Sequence, residues 1–118
     1  MSEITNLANH CLLDLWGCDP KYLDDLEYLK KHCLAAVKLG GATVIDSSFH
    51  HFSPQGVSGV IIIAESHLSL HTWPEHNYMA FDIFSCGEFK FNLVCEYLVV
   101  IFKAARYHVD IIKRGNIK

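Results

Sequence analysis

Residues 64–76, AESHLSLHTWPEH, hold three histidines, two serines, two glutamates and a tryptophan, directly after the apolar run GVIII at 59–63. These side chains can attack, protonate or stack. If 67–72 is extended, His67, Ser69 and His71 share one face and Leu68 and Leu70 the other. The leucines then enter a core, and the polar triplet lines a cleft or faces water as the outer side of an edge strand.

Three chemistries compete with that plain reading. A zinc site from His67, His71, His76 and Cys86 is the first. Residues four apart on a strand lie about 13 Å apart, whereas zinc ligands lie about 2.0–2.3 Å from the metal. No HExxH or CxxC spacing repairs this. A serine hydrolase is the second, but GVSGV around Ser58 is not the GxSxG elbow. The third is a serine that attacks its own chain. The Ser66 hydroxyl would add to the Glu65 carbonyl and turn amide into ester, and loss of the Cα proton would then split the chain. That chemistry needs a distorted peptide, a base in reach and donors for the oxyanion.

The elements that must position these groups can be read from periodicity. Residues 9–16 form a strand ended by Gly17. A helix follows, with Asp19 as N-cap, Pro20 at N1 and Gly40-Gly41 as the stop. Its apolar stripe is Leu26, Leu29, Cys33, Ala36 and Val37. Strands are expected at 42–52, 57–65, 66–72 and 78–86, a second helix at 91–107 and a last strand at 108–114. The pattern predicts one α+β two-layer domain over residues 1–118, an antiparallel sheet with two helices on one face. In the third strand both parities are apolar, Ile61 and Ile63 against Val60, Ile62 and Ala64. The second sheet face therefore needs cover that a chain of 118 residues does not supply, and a partner subunit, a homodimer at least, is expected there.

Composition narrows the partners. A net charge of -3 with no basic cluster argues against nucleic acid. The opening residues lack a signal-peptide pattern, and the longest apolar segment, near 93–102, is too short to span a bilayer. Five cysteines without a CxxC pair read as free thiols, and the expected location is cytoplasmic.

The stretch GVSGVIIIAESHLSLHTWPEH at 56–76, followed by FDIFSCG at 81–87, resembles the core of the prokaryotic, pyruvoyl-dependent S-adenosylmethionine decarboxylase proenzymes. LLDLWGCDP at 12–20, GATVIDSSFHHFSPQGVSG at 41–59 and KRG at 113–115 fit the same pattern in the same order, so the likeness covers most of the chain. It departs at Asn77 and Met79, where small residues are usual, and at Ala8, where glycine is usual.

The resemblance implies cleavage between Glu65 and Ser66 into a β chain of 1–65 and an α chain of 66–118. Ser66 becomes a covalent pyruvoyl cofactor that takes the substrate amine as a Schiff base. His71 matches the residue that moves the Cα proton during processing, and Ser58 the serine that assists it. Cys86 matches the proton donor to the decarboxylated carbon. Phe52, Trp73 and Glu75 match the substrate pocket, two rings for adenine and a carboxylate for the ribose hydroxyls. The product would be decarboxylated S-adenosylmethionine for spermidine synthesis, made by a homo-oligomer of αβ units. The alternative on the same scaffold is a pyruvoyl decarboxylase of arginine or ornithine, whose mark would be loss of the aromatics. A non-enzymatic relative would lack Ser66, His71 or Cys86, and all three are present. Ser66 and His71 are five apart, hence on opposite faces of a straight strand. The chain must therefore bend near 65–67, or His71 must approach the Cα of Ser66, and a break in pairing is expected at Glu65-Ser66.

Overall fold

The computed structural model describes residues 5–117. Six strands form one antiparallel sheet in the order β2-β3-β4-β5-β1-β6. They are β1 (Asn6–Trp16), β2 (Val44–His51), β3 (Val57–Ile63), β4 (Ser66–Trp73), β5 (Tyr78–Ser85) and β6 (Arg106–Asn116). The helices are α1 (Pro20–Leu23), α2 (Leu26–Leu39) and α3 (Phe91–Ile101), with a 3₁₀ turn at Pro74–His76. The molecule measures 20 Å along its shortest axis, the thickness of one sheet and one helix layer.

Alternation along the strands builds the core. Cys11, Leu13, Leu15, Ile61, Ile63, Leu68, Leu70, Phe81 and Ile83 point to one side and are buried. Leu29, Cys33, Ala36 and Val37 of α2, with Phe91, Val94, Cys95 and Leu98 of α3, close over them. The opposite sheet face stays open, with Val60 36% and Ile62 46% exposed. The apolar second parity of β3 thus meets nothing within the described chain.

The expected single helix from Asp19 to Gly40 is two. Asp19 caps α1 through the Lys21 amide at 3.1 Å, with Pro20 behind it. Asp25 then leaves helical space (φ -105, ψ 96) and accepts the Tyr28 amide at 3.1 Å, so it caps α2 afresh. Asp25 competes with the helix for its own amide, and the continuous turn is lost. The Asp24 carboxylate turns to the β2–β3 loop and accepts from the Gly56 amide at 2.9 Å and His51 Nε2 at 2.8 Å.

The second expected helix is shorter than its alanines suggested. It ends at Ile101, and Lys103 is left-handed (φ 53). The Ala105 amide then donates to Trp16 O at 2.8 Å, and β6 starts at Arg106 rather than at residue 108. Pairing with β1 outweighs the helix propensity of Ala104-Ala105. β3 ends at Ile63, two residues before the expected boundary, and β1 begins three residues earlier than periodicity indicated.

Candidate active site

The β3–β4 hairpin reverses at Ala64 and Glu65, between the paired residues Ile63 and Ser66. Glu65 has φ +66, a left-handed conformation that a non-glycine residue adopts at a cost of roughly 1–2 kcal/mol. The expected break in pairing thus falls just before Ser66. The Ser66 Oγ is buried and has no hydrogen-bond partner among the described residues. An unpaired buried hydroxyl costs about 1–3 kcal/mol, and here it directly follows the left-handed Glu65. Ser85, which ends β5, leads directly to Cys86, and the Cys86 thiol donates to Glu65 Oε2 at 3.4 Å. That bond, then burial, then the Glu65 charge push the Cys86 pKa up, so the thiol keeps its proton. Glu65 and Cys86 open onto a cleft of about 550 Å³ walled by Gly41, Thr43, Glu88 and Lys90.

Ser58 and His71 form a second cluster. They are direct cross-strand neighbours of β3 and β4, with Ser58 Oγ 2.7 Å from His71 Nδ1. If the ring proton sits on Nδ1 and is given to Ser58, Nε2 is left as a free base. Both residues lie on the open face, in a shallow groove of about 280 Å³ with Ser48, His50, Val60 and Ser69. Trp73 follows two residues on, its ring centroid 6.2 Å from that of His71. Phe52 packs edge-on against His50 at 4.6 Å and is 47% exposed, and Trp73 is 40% exposed. Glu75 stands exposed in the 3₁₀ turn. A hollow of about 460 Å³ beside them is formed by Asp14, Trp16, Trp73, His76 and Tyr78. Burial, then its hydrogen bond to the Asp14 carboxylate, pushes the Tyr78 pKa up to about 12.

The site residues therefore fall into two groups. Glu65, Ser66 and Cys86 stand at one end of the sheet, and Ser58, His71, Phe52, Trp73 and Glu75 at the other. β4 runs without interruption from Ser66 to Trp73, so His71 lies about 16 Å along the strand from Ser66, on the opposite face. The bend that would bring His71 to the Ser66 of its own chain is absent, because β4 is held on both sides by β3 and β5. The same rigidity separates the four zinc candidates, and among the described residues no cluster of His, Cys, Asp and Glu could hold a metal ion. Asp24, His50 and Tyr78 border the second group and escaped notice in the sequence. His50 alternates with Ser48 and Asp46 toward the open face, a period-two signal that was available.

The arrangement is that of the adenosylmethionine decarboxylases. The crystal structure of the adenosylmethionine decarboxylase from Aquifex aeolicus superposes with a TM-score of 0.90 at 32% identity, covering 98% of this chain and 96% of that one. A Trypanosoma brucei AdoMetDC structure shares the fold alone, at a TM-score of 0.66 and 14% identity over 87% of this chain and 45% of that one. The sequence profile described as S-adenosylmethionine decarboxylase matches residues 9–115, and the chain belongs to that family. It is 43% identical to the S-adenosylmethionine decarboxylase proenzyme of Thermodesulfovibrio yellowstonii, over 94% of this chain and 83% of the relative. Against the proenzyme of Moorella thermoacetica it is 45% identical, over 95% and 90% of the two chains. Among the described residues no helix is long and apolar enough to cross a membrane.

Proposed function

We propose that this chain is a proenzyme that cuts itself between Glu65 and Ser66, then decarboxylates S-adenosylmethionine with a pyruvoyl group made from Ser66. The observation that carries the reading is the buried, unpartnered Ser66 Oγ directly after a left-handed Glu65. Backbone strain at the residue whose carbonyl is attacked is relieved once that peptide bond is gone. The Ser66 hydroxyl adds to the Glu65 carbonyl carbon, the C–N bond breaks and an ester replaces the amide. Removal of the Ser66 Cα proton then expels the Glu65 carboxylate, leaving a β chain of 1–65 and an α chain of 66–118 that begins with dehydroalanine, which water hydrolyses to the pyruvoyl group with release of ammonia.

The proton-accepting pair is Ser58–His71, supplied by a second copy, a reading that the spacing along β4 supports. Two chains packed through their open faces in antiparallel sense would place the Ser58–His71 end of each over the Glu65–Ser66 end of the other. A two-fold axis makes two such composite sites at once. The same packing covers Val60 and Ile62, whose exposure a lone chain leaves unexplained. We take the active unit to be this homodimer, working in the cytoplasm, a reading that its five unbridged cysteines support.

The pyruvoyl group supplies an electron sink for the pair left when carbon dioxide departs. Cys86, kept protonated by Glu65, is the acid that returns a proton to the substrate carbon. Phe52 and Trp73 offer ring faces to adenine and to the sulfonium charge, worth about 0.5–2 kcal/mol for the cation. Glu75 accepts from the ribose hydroxyls. The product, decarboxylated S-adenosylmethionine, is an aminopropyl donor for spermidine synthesis.

Intact mass spectrometry of the purified protein, followed by carbon dioxide release from labelled S-adenosylmethionine, arginine and ornithine, tests the reading. Two fragments joining at 65/66 and release from S-adenosylmethionine alone are expected. A chain that stays whole on long incubation sinks the pyruvoyl mechanism, and release only from arginine or ornithine overturns the substrate.

A further inference from the structure

Cys11 and Cys95 meet inside the core, far from the proposed chemistry. Cys11 lies in the middle of β1 and is fully buried, Cys95 lies on the sheet-facing side of α3, and their Sγ atoms are 3.7 Å apart. None of the five cysteines is bridged, and among them only this pair is in thiol–thiol contact in the described structure. A disulfide needs sulfurs about 2.05 Å apart. The two sulfurs therefore have about 1.7 Å to close, a change of the order that a side-chain rotation makes. Cys95 also lines an apolar groove of about 520 Å³ between α3 and β6, with Val99, Tyr107 and Ile111 on its walls. The groove gives a small molecule a way to a thiol that is otherwise enclosed.

We propose that Cys11 and Cys95 form a redox-active dithiol, which low-molecular-weight disulfides close into a bridge between β1 and α3. The Cys95 thiolate attacks one sulfur of the oxidant, whose S–S bond breaks, and the first small thiolate leaves and takes up a proton. Cys11 then loses its proton and attacks the Cys95 sulfur of the mixed disulfide, expelling the second small thiol. Two electrons and two protons pass from the pair to the oxidant. The order of attack follows access, since Cys95 lines the groove and Cys11 is fully buried. The hydrogen bond between the two thiols lowers the Cys95 pKa against the opposing effects of burial and Glu96, while Cys11 is pushed up.

One consequence rests on the self-cleavage proposed above. Cys11 belongs to the segment before Glu65-Ser66 and Cys95 to the segment after it, so the bridge would join the two chains that processing separates. An oxidised enzyme would then hold its β and α chains together under conditions that unfold the reduced one.

The test uses the purified wild-type protein incubated with oxidised glutathione, then alkylated in denaturant, digested and mapped. The expected result is a peptide pair linked through Cys11 and Cys95, both thiols disappearing together while Cys18 and Cys33 remain alkylatable. On a non-reducing gel the cleaved chains should migrate as one species, and reductant should separate them. Cys95→Ala, checked for its fold by circular dichroism, should give no linked peptide and chains that separate with or without oxidant. Cys11 and Cys95 both alkylated after oxidation, or a glutathione adduct that persists on Cys95 with Cys11 free, overturns the proposal. An uncleaved protein that still gives the linked peptide fails the processing reading alone. A cleaved protein without it fails the dithiol alone.

Discussion

Ser58 and His71 face each other across β3 and β4, Oγ to Nδ1 at 2.7 Å, at the end of the sheet opposite Ser66. A base in this position lies about 16 Å along the same straight strand from the serine five residues before it, so under the proposed function processing is expected to need two chains. Ser66→Ala and His71→Ala should each stay uncleaved when expressed alone, the latter slowed by about 10²–10⁴ for loss of the base. Co-expressed with distinguishable tags, they should form mixed dimers in which the His71→Ala chain keeps its Ser66 and meets the intact His71 of its neighbour. With random pairing, about half of the His71→Ala chains should be cut, and the Ser66→Ala chains never. Mass spectrometry of the two tagged species reads this directly, and His71→Ala chains left uncut in the mixed dimers would show that His71 acts within its own chain.

The Glu65 carboxylate holds the Cys86 proton, and that sets an alkaline limit. A proton donor works only while protonated, so activity falls as pH rises through the thiol pKa. Here that pKa is raised above the ordinary 9.0, chiefly by the hydrogen bond to Glu65. Glu65→Gln keeps an acceptor oxygen and removes the charge, and the thiol should titrate at lower pH. In processed enzyme the alkaline limb of the kcat profile should therefore move to lower pH, with the neutral plateau little changed. Cys86→Ser, a far weaker acid, should lower kcat by about 10²–10⁴ while leaving cleavage intact. An alkaline limb that Glu65→Gln does not move would dissociate the thiol from the rate.

The sheet-and-helix layering was legible because alternation in the strands and the 3.6 period of α2 state which faces are apolar. Leu26, Leu29, Cys33, Ala36 and Val37 read as one stripe, of which the last four are buried and Leu26 is partly buried against the core. The helix break at Asp24-Asp25 was not, since an aspartate inside a helical pattern and one that caps a new helix look alike until its carboxylate finds an amide. Nor was the end of α3 at Ile101, where the Trp16 carbonyl, eighty-odd residues away in sequence, decides the conformation of Ala105. Of the candidate site, residue types were readable and their distribution only half so. The odd spacing of Ser66 and His71 already put them on opposite faces, but only the unbroken β4 shows that no bend brings them together within one chain. Asn77 illustrates the reverse case: its φ of +54 explains a position that tolerates glycine or asparagine.

Gly59 and Phe49 test the packing that keeps Ser58 in register. A Cβ on Gly59 would lie 2.4 Å from the Phe49 ring, which lies against the bare backbone there. Gly59→Ala should destabilise by about 1–3 kcal/mol as the ring is displaced. Phe49→Ala removes the clash, so the double variant should be less destabilised than the sum of the two singles, with a coupling of about 0.5–3 kcal/mol. Denaturant midpoints of the four proteins measure it. Strict additivity would mean that the ring and the glycine do not constrain each other.

Asp24 ties the helical layer to the loop that carries Phe52. Its carboxylate accepts from the Gly56 amide at 2.9 Å and from His51 at 2.8 Å, and the Phe52 amide in turn donates to Gly56 O at 2.7 Å. Removing the carboxylate with Asp24→Ala frees the Phe52 ring, which the proposed function places against adenine, without touching Ser66 or Cys86. The expected signature is a raised KM for S-adenosylmethionine with kcat nearly unchanged, because positioning of adenine is lost while the proton donor is not. The stability cost should be small, about 0.5–1 kcal/mol, since the side chain is partly exposed. Its pH dependence has a definite sign. The Gly56 amide, followed by His51, holds the Asp24 pKa below the ordinary 3.8, so the folded chain releases this proton more readily than the unfolded chain. The contribution is fully present above pH 3.8 and is lost as pH falls through the lowered folded value. Acid unfolding curves of wild type and Asp24→Ala should accordingly separate above that range and converge below it. Curves that stay apart at the lowest pH would show that the carboxylate is not what fastens the loop.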